Sequence, residues 1–146
     1  MIDGPLLRII YGAHKELTRL EQEPRDYGIG KLLYGSEIHT LVCIGENPYV
    51  NLTTIAGKLE VSKSAASKFV KKLIEAACIE KTKSLDNAKD VLFHATSKGK
   101  RAIQGHRAFQ ESAFGPLREI EARLPPAEAE IVYRFLSRLN DEIKRK

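Results

Sequence analysis

The stretch that most constrains this chain runs from Ser62 to Ala77. Projected as a helix at about 100° per residue from Lys63, the residues Phe69, Leu73, Ala66, Ala77, Val70 and Ile74 fall between 240° and 20°. Ser67, Lys71, Ser64, Lys68 and Lys72 fall between 40° and 180°. One face can only pack; the other carries lysines interleaved with small hydroxyls. A face that merely kept a helix in water would mix Glu among the lysines for i,i+4 pairs. Between Ser62 and Ala77, Glu75 is the only acid. The polar face is therefore composed for a polyanion, and Ser62 is placed to cap the helix behind it.

The flanks give that helix a context. Asn51 or Thr53 can cap a short helix holding Leu52, Ile55, Ala56 and Leu59, and Glu60-Val61 is a tight turn into Ser62. On the other side, Ile79–Lys83 and Val91–Ala95 alternate as strands around the turn-like Ser84–Ala88. Short helix, turn, basic helix and hairpin make a winged helix-turn-helix, in which the second helix enters the major groove of DNA. Charge follows the same boundaries. Residues 58–101 hold eleven basic and five acidic side chains, a net +6 within a chain whose total is +5, so the flanks together carry −1. Neutralising phosphates releases counterions, and this block is where that would happen.

Outside the block the chain reads as helices. Leu6, Ile10, Ala13, Leu17 and Leu20 recur at helical spacing after Pro5, and Ile38, Leu41, Val42 and Ile44 follow Ser36-Glu37. Thr96 or Ser97 caps a helix expected to run through Ile103 toward Phe114 and to end near Gly115-Pro116. Pro125-Pro126 opens a last helix with the stripe Ile131, Val132, Phe135, Leu136, Leu139 and Ile143. The fold class is thus mainly α with a small β wing. A length of 146 residues suits a single domain. No apolar run approaches the ~20 residues of a membrane helix. The first residues also lack the basic-then-apolar layout of a secretory signal. A cytoplasmic protein with no membrane partner is expected.

Patterns that could carry other chemistry resolve to simpler roles. Ser97-Lys98-Gly99-Lys100 satisfies Ser-x-x-Lys, but its serine stands at a helix start without companion motifs, which is a capping position. His39 and Cys43 lie four apart on one helix face, yet two ligands without a carboxylate or a second cluster do not make a metal centre. Asp26–Gly30 has only part of a glycine-rich nucleotide loop and no strand before it. Cys43 and Cys78 sit in apolar runs and read as packing residues rather than redox switches. No catalytic residue, cofactor or metal is expected.

The chain resembles the MarR family of bacterial and archaeal transcription regulators. The resemblance rests on Ile38–Ile44, on Leu52-Thr53-Thr54-Ile55-Ala56-Gly57-Lys58-Leu59, and on Val61 through Val70, continuing from Leu73 to Ile79. The family's wing motif, Asp-x-Arg followed by apolar residues and Leu-Thr, is matched by Asn87 to Thr96. Asn87 stands where Asp is usual and Lys89 where Arg is usual. In the family that arginine reaches into the minor groove and meets the neighbouring acid. Lys89 keeps the charge without the planar fork, so weaker readout of groove width is expected.

The resemblance implies a homodimeric DNA-binding regulator, usually a repressor, with dimerisation helices at about 5–22 and 97–146 flanking a winged part at about 36–96. The uncovered stripes of the first and last helices call independently for a partner surface. Ser62, Lys63, Ser64, Ser67, Lys68 and Lys71 would address the major groove of double-stranded DNA, with Lys81, Lys83 and Lys89 on the wing. Tyr11, His14 and His39 would line the family's small-molecule effector cleft. The competing reading is a winged-helix protein-interaction module whose basic face meets an acidic protein without specific DNA binding.

Overall fold

The computed structural model describes residues 3–146. Six helices and five short strands follow in the order α1 (Pro5–Gln22), β1 (Arg25–Asp26), β2 (Leu32–Leu33), α2 (Gly35–Glu46), β3 (Val50–Asn51), α3 (Leu52–Leu59), α4 (Lys63–Glu75), β4 (Ile79–Lys83), β5 (Val91–Ala95), α5 (Ser97–Ala122) and α6 (Pro126–Lys144). The chain divides into two compact units, residues 1–107 and 108–146. No helix among the described residues is long and apolar enough to cross a membrane.

The core belongs to the first unit. Ile38, Leu41 and Ile44 of α2 bury against Ile55 of α3 and against Ala66, Val70 and Leu73 of α4. Ile79 and Phe93 close it from the sheet. Around α4 the buried positions fall on the arc that the helical projection assigns to packing. Strands β3, β5 and β4 pair antiparallel in that order. Val50 pairs with Phe93, so the wing hairpin gains a third strand that a two-residue segment is too short to announce by periodicity. A second small hairpin pairs Arg25 with Leu33. Between its strands the Asp26 carboxylate accepts backbone N–H bonds from Gly28, Ile29 and Gly30 at 2.9, 2.9 and 3.1 Å. Those bonds, the one from Ile29 first, hold the Asp26 carboxyl below its ordinary range.

The helix ends follow local chemistry. Asn51 accepts the Thr54 N–H and caps α3, and Ser62 accepts the Ala65 N–H and caps α4. Thr96 caps α5 by accepting the Gly99 N–H, while its hydroxyl donates to the Ala77 carbonyl at 2.7 Å. Two ends depart from expectation. Helix α4 stops at Glu75, and Ala77 takes a left-handed φ of 56°. The Cys78 N–H then reaches the Leu73 carbonyl and the Ala77 N–H the Ile74 carbonyl, closing a Schellman motif around an alanine instead of the usual glycine. Helix α5 does not end at Gly115-Pro116; it carries Pro116 internally and continues to Ala122. Proline there deprives one carbonyl of its partner, but Ser112 and Pro116 are both exposed, so water can serve the freed group.

In the second unit the end of α5 and α6 leave Leu117, Ile120, Ile131, Val132, Phe135 and Leu136 exposed. Helices α1 and α6 bury no residue in this single chain.

Candidate nucleic-acid interface

The interface is built from α4 and the hairpin β4–β5. Capping by Ser62 fixes where α4 begins; its Oγ also lies 3.1 Å from the Ser64 Oγ. The Ser62 hydroxyl is therefore committed to the helix start, and any contact it makes with a ligand is made from that position. From that start, Lys63, Ser64, Ser67, Lys68 and Lys71 are all exposed. On the hairpin, Lys81 stands directly opposite Phe93 and Lys83 opposite Val91. Paired residues share a face, and residues two apart on a strand share it too. Both lysines thus emerge on the side of the sheet that carries Phe93.

The two elements meet around a cleft of about 670 Å³. Lys63, Ser67 and Lys71 line it from α4 and Lys81 and Lys89 from the hairpin. Ser62, Ser64, Lys68 and Lys83 are exposed outside it. The cleft also takes in Asn51 and Thr53, which the sequence offers only as caps. Glu75 and Asp90 stand at its wall as well.

The wing tip explains what Asn87 does in place of an aspartate. Its Oδ1 accepts the Lys89 N–H at 3.1 Å and its Nδ2 donates to Asp90 Oδ2 at 3.3 Å. The Ser84 Oγ accepts N–H bonds from Asp86 and Asn87 at 3.3 and 3.4 Å. An amide can do both halves of this work, accepting and donating, so the turn closes without a second charge beside Asp90. Lys89 is left projecting from a braced loop.

Ion pairing distinguishes these lysines from six of the arginines. Arg19, Arg25, Arg118, Arg123, Arg134 and Arg145 each lie within 4 Å of a glutamate. Among the described residues, no carboxylate pairs with Lys63, Lys68, Lys71, Lys81, Lys83 or Lys89. Lys72 is different: although it belongs to the same polar arc, its Nζ is 3.0 Å from Glu37 Oε1.

The residues expected to share an effector cleft are not brought together. Tyr11 and His14 line a shallow concavity along α1 with Lys15 and Gln22. His39 lines another, with Glu21, Tyr34 and Ser36. The sequence gives no sign of the actual neighbour of His39, the buried His106, whose ring centroid is 5.6 Å away. Tyr27, also buried, meets the His106 ring edge-on at 5.4 Å. Cys43 and Cys78 are both buried, and burial pushes both thiols above their ordinary range, as suits packing residues. Among the described residues no three His, Cys, Asp or Glu side chains are grouped to hold a metal ion.

Comparison with known proteins agrees with this geometry. The MarR family model matches residues 33–91, which takes in α2 to the start of β5. The HTH-type transcriptional regulator YhjH of Bacillus subtilis is 35% identical over 98 residues, 67% of this chain and 54% of that protein. PchR, an HTH-type transcriptional regulator of the same organism, is 28% identical over 75% of this chain and 64% of its own length. This chain thus spans only about half to two thirds of those relatives. The solved structure of wild-type ZitR from Lactococcus lactis in complex with DNA superposes with a TM-score of 0.78 at 22% identity, covering 98% of this chain and 99% of that one. ZitR is described as zinc-responsive, and that property stays with ZitR. Over its winged helix-turn-helix, residues 33–91, the chain matches the MarR family.

Proposed function

We propose that this protein is a sequence-specific DNA-binding transcriptional regulator that acts as a homodimer on a pseudo-palindromic site. The observation that carries the reading is the convergence of exposed lysines without a carboxylate partner, Lys63 and Lys71 from α4 and Lys81 and Lys89 from the hairpin, on one cleft. An ammonium without a carboxylate partner is free for a phosphate. In this reading Ser62, Lys63, Ser64, Ser67, Lys68 and Lys71 address the major groove, with lysines on phosphates and serines on bases or phosphates. Lys81, Lys83 and Lys89 set the wing on the backbone or minor groove.

A dimer seated at a promoter excludes other proteins from it, so the regulator acts as a repressor, in the cytoplasm where its DNA is. A small-molecule effector would enter one of the two concavities, through Tyr11 and His14 or through His39.

Selection from random-sequence double-stranded DNA tests the reading. The wild-type chain should enrich a pseudo-palindrome with half-sites about 34–36 Å apart, one helical turn. On that duplex, Lys68→Ala with Lys71→Ala should weaken binding across all sequences. It should also flatten the slope of log K against log salt by about 0.9 for each phosphate no longer neutralised. Failure to enrich any duplex, with capture of acidic proteins instead, overturns the reading in favour of a protein-interaction module.

A further inference from the structure

We propose that Lys72 is a positioning residue of the recognition helix α4: it sets the helix on the body of the domain through an ion pair with buried Glu37 and does not itself contact DNA. The inference rests on the DNA reading above.

The sequence groups Lys72 with Lys68 and Lys71 on one polar arc, at its far edge near 180° in the helical projection. The structure takes it out of that group. Its Nζ lies 3.0 Å from Glu37 Oε1 and 5.5 Å from the centre of the Tyr34 ring. Glu37 is the one buried acid among the described residues, with a side chain 6% exposed. Its other oxygen, Oε2, accepts the Tyr34 N–H at 3.0 Å, closing the first turn of α2. Both carboxylate oxygens are thus engaged, one by the start of α2 and one by the last turn of α4. A buried carboxylate requires such partners, so Lys72 cannot leave for a phosphate without stranding Glu37. The ends of both helices favour the arrangement: an acid in the first turn of α2 and a base in the last turn of α4 each oppose the local dipole.

What α4 needs from such a contact is set by its own packing face. That face buries the short Ala66 and Val70 and one longer side chain, Leu73, and the Glu37 pair adds a polar fixed point directly beside Leu73. Lys72 follows Lys71 directly and stands one turn beyond Lys68. Without the Glu37 pair the free helix is no longer held at one rotation. DNA binding must then first bring those two ammoniums and Ser67 back to a common surface before the same contacts form. The pair therefore acts on DNA affinity through the placement of neighbours, and leaves the number of neutralised phosphates unchanged.

The test uses the full chain and the duplex that the wild type enriches from random-sequence DNA. Lys72→Met should raise Kd about tenfold, the size of a coupled interaction. Its salt slope should equal that of the wild type, whereas Lys68→Ala or Lys71→Ala lowers the slope by about 0.9 per phosphate. Glu37→Gln, which retains an acceptor for the Tyr34 N–H, should weaken binding in the same way. The double variant should be no weaker than the worse single one, and Lys72→Arg should restore affinity to within about twofold of wild type. Thermal unfolding of each variant sets a temperature at which all are folded, and binding is read there. If Lys72→Met does not fold, Glu37→Gln carries the comparison. A slope reduced by Lys72→Met as much as by Lys68→Ala makes Lys72 a direct phosphate ligand and overturns the inference. Additive losses, or undiminished affinity in both single variants, overturn it as well while leaving the DNA reading intact. A wild type that enriches no duplex overturns both.

Discussion

His106 shows how much one side chain can add to the character of the domain. It is 4% exposed, its Nδ1 has no hydrogen-bond partner in the structure, and it is packed between the rings of Tyr27 and His39. Burial first, and then the nearby His39, lower its pKa below the ordinary histidine value. The unfolded chain therefore takes up a proton at this residue before the folded one does. Stability from this site is fully present above the unfolded value, about 6.5, and is lost as pH falls from there toward the depressed folded value. Equilibrium urea unfolding should show falling stability from pH 7 to pH 5. His106→Phe, which keeps a ring between Tyr27 and His39, should flatten that fall. An unchanged pH dependence in the variant would assign the acid sensitivity to other groups. Nothing local in the sequence marks His106: the residues that bury it come from distant segments, and a lone histidine in a helix carries no signal of its own. Ser62 and Asn51 are the opposite case. Their caps are legible because a hydroxyl or amide at a helix start reaches an N–H only three residues away.

At the scale of elements, legibility follows the same division between local and distant causes. The bounds of β4 and β5 and the packing arc of α4 agree with the sequence reading because alternation and helical period are local. Three features break from it. Ala77 prefers a helix, yet the bond from Cys78 back to Leu73 requires a left-handed residue there. Pro116 looks like a stop, but exposure allows the Ser112 carbonyl it leaves unpaired to be hydrated, and α5 runs on. Lys72 looks like its neighbours on the helix, and only a buried acid more than thirty residues away distinguishes it. Helix α5 also depends on two glycines for its approach to the rest of its unit. A Cβ at Gly99 would fall 2.0 Å from the Cys78 carbonyl oxygen, and one at Gly105 would fall 2.2 Å from that of Tyr27. Both obstacles are backbone and cannot swing aside as a side chain would. Gly105→Ala should therefore destabilise the fold by about 1–3 kcal/mol despite its gain in helix propensity. Gly12→Ala, with open space around the added methyl on α1, should be neutral or stabilising. Denaturant midpoints of the two variants make the comparison, and equal midpoints would show that α5 can move away from Tyr27.

For the whole molecule, the sequence separates a charged centre from flanks that are nearly neutral, and the structure adds that those flanks are apolar and uncovered. Leu6, Ile9 and Tyr11 on α1 are each more than half exposed, as are Ile120, Ile131, Tyr133 and Ile143 in the second unit. A groove of about 640 Å³ within that unit is lined by Leu117, Ile120, Leu124, Val132 and Leu136. Apolar surface of this extent is a liability for a monomer and an asset to an interface. In a two-fold dimer the same patch meets itself, so one substitution acts twice. A charge at Val132 or Leu136 is then stripped of water once in each subunit. Val132→Glu combined with Leu136→Glu should convert a dimer at micromolar concentration into a monomer, as read by sedimentation. Neither residue belongs to α4 or the wing, so each monomer keeps its own basic face. Binding to a single half-site should persist, while affinity for the two-half-site duplex falls by the loss of linked engagement, on the order of 10²–10⁴-fold. A variant that stays dimeric would place the subunit interface elsewhere. A variant that is monomeric but binds the full site as tightly as the wild type would show that the two halves are read independently.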